Sequence, residues 1–180
     1  EGYGLTVGSN AGHTVRFYGM GGQPTSPLTF DRVSTAILIR DANGTVENTR
    51  FSDGKRMIDM TLFSYPATLS VKGNQFENFH YNGVVISGNS PLHSARVENN
   101  RFLDNSTLDP GFFFGHIAMV AGTNQPVPYK QFFINDNDFT IAQSAISSTG
   151  IAIYKSTNIQ VLNNTLDNQN TSKSVNGILL

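Results

Sequence analysis

The stretch NIQVLNNTLDNQ, residues 158–169, sets apolar residues in alternation with polar ones and then places two asparagines side by side where a core residue is expected. Its central hexapeptide, VLNNTL (161–166), has relatives along the chain: VKGNQF (71–76), VENNRF (97–102) and INDNDF (134–139). VENTRF (46–51) is a degenerate copy with Thr49 in the asparagine slot. The pattern is an apolar residue, two polar ones, Asn, any residue, then Phe or Leu. Successive copies start 25, 26, 37 and 27 residues apart, so one step carries an insertion, which falls within 104–130. Self-similarity at a fixed period of this size is the mark of a repeat architecture.

A second motif precedes each copy. It is apolar–x–apolar: Ile37/Ile39, Ile58/Met60, Val84/Ile86, Ile117/Met119, Ile151/Ile153 and Ile178/Leu180. Alternation of this kind reads as a short strand. Gly4 to Val7 and His13 to Phe17 look like the same two strands in a divergent first turn. Two or three short strands per unit of about 26 residues predict an all-β, right-handed, single-stranded parallel β-helix of about 6–7 coils, with like residues stacked about 4.8 Å apart. The repeated Asn then turns a corner, taking the left-handed conformation, and pairs with its equivalents above and below. Phe51, Phe76, Phe102, Phe139 and Leu166 are expected to stack beside it as an inner column. A β-sandwich is the competing reading, but it does not call for one Asn at one phase.

Totals limit the rest. The 180 residues suffice for a single domain over 1–180 with its own core. Charged residues are 14% of the chain and the net charge is −1, which argues against a general nucleic-acid binder. No apolar run is long enough for a membrane-spanning helix. There is no cysteine, hence no disulfide framework. The absence of an initiator Met, and repeats that are cut at both ends, lead us to expect a piece of a longer chain. Open solenoid ends need caps.

GIAIYKSTNIQVLNNTLDNQ (150–169) and GVVISGNSPLHSARVENNRFLDNS (83–106) resemble the repeat of the pectate-lyase-like β-helix superfamily, most nearly that of phage tailspikes and capsular polysaccharide depolymerases. The resemblance implies a polysaccharide partner and cleavage by a glycosidase or lyase. It further implies an extracellular or virion location and side-by-side homotrimers. A non-catalytic adhesin or spike, and a secreted enzyme acting on plant or algal polymer, are the alternatives. The acidic cluster with which pectate lyases hold calcium is not recognisable, nor are the aspartate patterns of epimerases and polygalacturonases. No cofactor or metal site is expected.

Candidate site residues follow from aligning the coils. The residue between the two apolar ones should point outward, giving the column Leu38, Asp59, Val85, Ala118, Ala152, Leu179. The column before it contains His116, and the one after it Arg40, Thr61, Ser87, Val120 and Tyr154. A face of small and apolar residues edged by polar ones suits a sugar chain. Asp59 is the single carboxylate in the middle column. Asp53, Asp104 and His116 join it as candidate catalytic groups, because glycosidases need two carboxylates across the scissile bond. Arg56, His80, Tyr81, Tyr154 and Phe113 are candidate substrate contacts: cations and a phenol for a uronate, an aromatic ring for a sugar face. Plainer readings are a solvated Asp59, a His116 that packs at the base of a loop, and a Phe112–Phe114 run that plugs the long loop onto the body.

Overall fold

The computed structural model describes residues 3–8, 14–18, 28–63, 67–88, 94–104, 116–121, 127–142, 149–154, 156–172 and 176–179. These form a right-handed parallel β-helix. The first coil is β1 (Tyr3–Gly8), β2 (Thr14–Tyr18) and β3 (Leu28–Asp31). The second is β4 (Thr35–Arg40), β5 (Asn43–Glu47) and β6 (Thr49–Ser52). The third is β7 (Arg56–Leu62), β8 (Thr68–Lys72) and β9 (Gln75–Glu77), and the fourth is β10 (Asn82–Gly88), β11 (Ser94–Glu98) and β12 (Arg101–Asp104). The fifth is β13 (Ile117–Ala121), β14 (Val127–Asn135) and β15 (Asp138–Ile141). The sixth is β16 (Thr149–Tyr154), β17 (Ser156–Leu162) and β18 (Thr165–Asn168), and β19 (Asn176–Leu179) opens a further turn.

Each coil gives one strand to each of three parallel sheets, of seven, six and six strands. The long step is therefore not one loop: β13 and the start of β14 lie within it. The β14–β17 pairing shifts register between Pro128 and Phe132, where β14 carries two more residues than β17.

Alternation within each strand puts one row inside. Val46, Val71, Val97 and Ile134 pair in register in the second sheet and are fully buried. In the third sheet Phe30, Phe51, Phe76, Phe102 and Phe139 form a continuous stack, with ring centroids 4.6–5.4 Å apart and planes within 12° of parallel. Parallel strands impose that separation, and it coincides with the offset-stacking distance of aromatic rings. Leu166 continues the column in register with Phe139, though it is partly exposed.

The asparagines form the expected ladder between the second and third sheets. Asn100 Oδ1 accepts from both the backbone N–H (2.9 Å) and Nδ2 (3.0 Å) of Asn74. Asn137 Oδ1 does the same for Asn100, and Asn164 Oδ1 for Asn137. The second Nδ2 proton goes back to the apolar residue that leads the previous coil's motif, as from Asn100 to the Val71 carbonyl at 3.0 Å. Each buried amide is thus fully satisfied, and a loss of partners would cost about 1–3 kcal/mol per stranded group. Thr49, at the degenerate position, still donates its backbone N–H to Asn74 Oδ1.

One detail differs from expectation. The left-handed residue is not the ladder Asn but the one before it: Asn48, Gly73, Asn99, Asp136 and Asn163 all have φ between 50° and 65°. The division is physical. A short polar residue or glycine tolerates the turn, which frees the next side chain to point inward and bond along the axis.

Candidate functional site

The middle column of the first sheet pairs as the alignment predicts. Leu38, Asp59, Val85, Ala118, Ala152 and Leu179 pair in register across successive strands. Leu38, Asp59, Val85, Ala118 and Ala152 are buried, yet none belongs to the core cluster that holds Ile37, Ile39, Ile58, Met60, Val84 and Ile86. The row is therefore sheltered rather than open, and we call it the trough. Its border is the next outward column, where Arg40 is exposed and Thr61, Ser87 and Tyr154 are half-buried.

Asp59 is the polar break in that row. Its Oδ1 accepts from Thr61 Oγ1 at 3.1 Å, and its Oδ2 accepts from Arg56 NH1 at 3.3 Å. Thr61 reaches it because residues two apart on a strand share a face. Thr61 Oγ1 lies 3.5 Å from Ser87 Oγ on the next strand. Arg56 comes from the first position of β7, and its guanidinium carbon is 6.0 Å from the centroid of Tyr81 on the following coil. The corner that supplies both residues is itself stacked: Arg56 N–H donates to the Ser34 carbonyl, and Tyr81 N–H to the Lys55 carbonyl. The result is a carboxylate oriented by a cation and a hydroxyl, with an aromatic ring beside the cation. Thr61 and Ser87 stood in the predicted border but were not singled out; their i, i+2 and cross-strand relation to Asp59 was the available signal.

The other candidates are dispersed. Asp53 sits at the corner before β7 with φ 52°, and the Asn78 amide donates to its Oδ1; its geometry is that of a turn residue. His80 is half-buried at the same corner one coil on, its backbone N–H bonded to the Gly54 carbonyl. Tyr154 lies in the border column, in register three strands along from Thr61, roughly 14 Å by strand spacing. Phe113 lies outside the described residues.

His116 departs from the expected placement. It is 1% exposed and points inward, among Phe79 (5.1 Å, edge-on), Phe139 (5.6 Å) and Phe102 (6.1 Å). Its Nε2 is 3.3 Å from Oδ2 of Asp104, which is also buried. The chain rounds a corner just before each strand of the first sheet, so two successive residues face inward there: Met57 and Ile58 both belong to the core cluster. A Cβ on Gly83, the equivalent of His116 one coil earlier, would lie 2.6 Å from the Phe102 ring. His116 therefore takes no place on the trough, and neither does Asp104.

Among the described residues no group of three or more His, Asp or Glu comes together to hold a metal ion, and no helix is long and apolar enough to cross a membrane. No curated protein and no solved structure matches the chain significantly. The family described as "Right handed beta helix region" matches residues 4–180. With three stacked parallel sheets and that match over nearly its whole length, the chain belongs to the right-handed β-helix family.

Proposed function

We propose that this chain is a polysaccharide-binding and -degrading β-helix of the tailspike type, exported or carried on a virion. Its trough on the first sheet takes a bacterial surface glycan. The observation that carries this reading is Asp59: a carboxylate held by Arg56 and Thr61 in a column whose neighbours are Leu38 and Val85. Packing alone asks for an apolar residue there, because burying a carboxylate carries a desolvation cost that a leucine does not. An oriented, partly desolvated charge in a groove is better suited to a ligand. In this role Asp59 exchanges a proton with the glycan, Arg56 meets a negative group on it, and Tyr81 and Tyr154 offer ring faces.

A second reading, a non-catalytic adhesin or spike domain, is favoured by the dispersal of the acids. Hydrolysis with two carboxylates needs them about 5–9.5 Å apart across the bond, whereas Asp53 is engaged in a turn and Asp104 is inside. A homotrimer, or a secreted enzyme acting on plant or algal polymer, rests on family likeness alone.

The test is incubation with a panel of capsular and lipopolysaccharide glycans. Chain length is read by size exclusion, and elimination by the ultraviolet absorbance of an unsaturated uronate. Cleavage that drops at least about 100-fold in Asp59→Asn is expected, the size of a general acid–base contribution. Cleavage unaffected by that variant removes Asp59 as the catalyst; binding without shortening selects the second reading.

A further inference from the structure

We propose that the ladder corner, between the second and third sheets, is a separate binding site for the hydroxyls of a neutral sugar. A groove of about 340 Å³ lies there, across three successive coils. Three coils span ~10 Å along the axis, the length of a short stretch of sugar chain. Its floor is formed by Asn74 and Asn100, whose amides are wholly used within the ladder. The floor is thus rigid and needs no ordering when a ligand arrives, which lowers the cost of binding.

The walls are different. Asn99 and Asp136 come from the left-handed column, Arg101 and Asp138 from the column just past the ladder. Gly73 leaves the left-handed column without a side chain at one level, which opens one end of the groove. These four residues are exposed, and among the described residues their side chains make no hydrogen bond or ion pair, whereas Gln75, which also lines the groove, bonds to Glu77. The surrounding surface behaves otherwise: Arg50 bonds to Glu77, and Arg96 bonds to Glu98. Arg101 and Asp138 are even register partners on adjacent strands, where opposite charges ordinarily pair.

The chemistry of the walls selects the ligand. A guanidinium, two carboxylates and an amide supply donors and acceptors together. A hydroxyl both donates and accepts, so adjacent hydroxyls of a pyranose can meet a carboxylate and a guanidinium at once. The charged walls sum to −1, which works against an acidic sugar. Two carboxylates and one amide, with a guanidinium among them, are a poor cage for a divalent cation, which takes six or more oxygens.

The test is an ¹⁵N–¹H NMR titration of the whole chain with the methyl glycosides of glucose, galactose and mannose. The expected result is that at least one of them shifts amides of residues 73–75, 99–101 and 136–138 while Asp59 is unmoved. Asp138→Ala and Arg101→Ala should each weaken that response at least about tenfold, the effect of losing one charge-assisted hydrogen bond. The proposal is overturned by silence of those amides toward all three glycosides at tens of millimolar, or by shifts that both variants leave intact. Calcium chloride moving the same amides where no glycoside does would equally overturn it.

Discussion

The corner that carries Asn74, Asn100, Asn137 and Asn164 repeats one residue in coil after coil, while the outward column of the first sheet changes from Leu38 to Asp59 to Val85 to Ala118. Both columns repeat once per coil at the same spacing. The difference is in what each side chain must satisfy. A ladder amide is buried and bonds to its equivalents along the axis, so an apolar residue in its place strands polar groups. An outward residue answers only to its own neighbours and to whatever lies in the trough. Regularity therefore reports the fold, and its absence marks where a ligand can be selected.

That contrast can be broken by substitution. Phe76→Ala should have the largest effect, about 3–5 kcal/mol for an aromatic deleted from a closed core, because the ring is sandwiched between Phe51 at 5.0 Å and Phe102 at 4.6 Å. Urea denaturation would show it as a lowered midpoint, and a loss below about 1 kcal/mol would mean that the stack closes over the gap. Asn100→Ala comes next, at about 2–4 kcal/mol from stranded donors and acceptors on both sides. Asn164→Ala, whose residue is only half-buried, should cost clearly less by the same measurement. Equal losses would mean that burial does not set the worth of the amides.

Gly73→Ala should destabilise by about 1–2 kcal/mol. Its φ is +65°, and an added Cβ would lie 2.8 Å from Asn48 Oδ1. Smallest is Asp59→Leu, which copies Leu38 and should change stability by less than about 1 kcal/mol. The same variant should abolish any glycan cleavage. A stability loss as large as that of Asn100→Ala would erase the distinction between ladder and trough.

The sequence discloses the fold so fully because the stacked interior forces like residues into like places, and the eye can find VKGNQF, VENNRF and INDNDF without a structure. Phe30 escaped notice since its flanking residues do not follow the pattern, although its ring completes the stack 5.4 Å from Phe51. The site is less legible. Strict alternation placed His116 outward, but alternation fails where the backbone bends, and the bend is written in no single residue. Asp59 was visible as the acid in an apolar column. Its partners Arg56 and Thr61 depend on side-chain reach across one strand, which spacing hints at and only coordinates settle. Asp53 and Asp104 were grouped with it by residue type, and residue type says nothing of which side of a sheet a carboxylate occupies.

The ladder also has a direction. Asn74 gives its two protons to Asn100, Asn100 to Asn137, and Asn137 to Asn164, never the reverse. A polypeptide leaves the ribosome N-terminal end first. The newest turn of the spiral therefore always presents a pair of N–H groups aimed at a carbonyl oxygen not yet synthesised. A following turn that stacks in register satisfies that pair, and one that slips by a residue leaves it unmet.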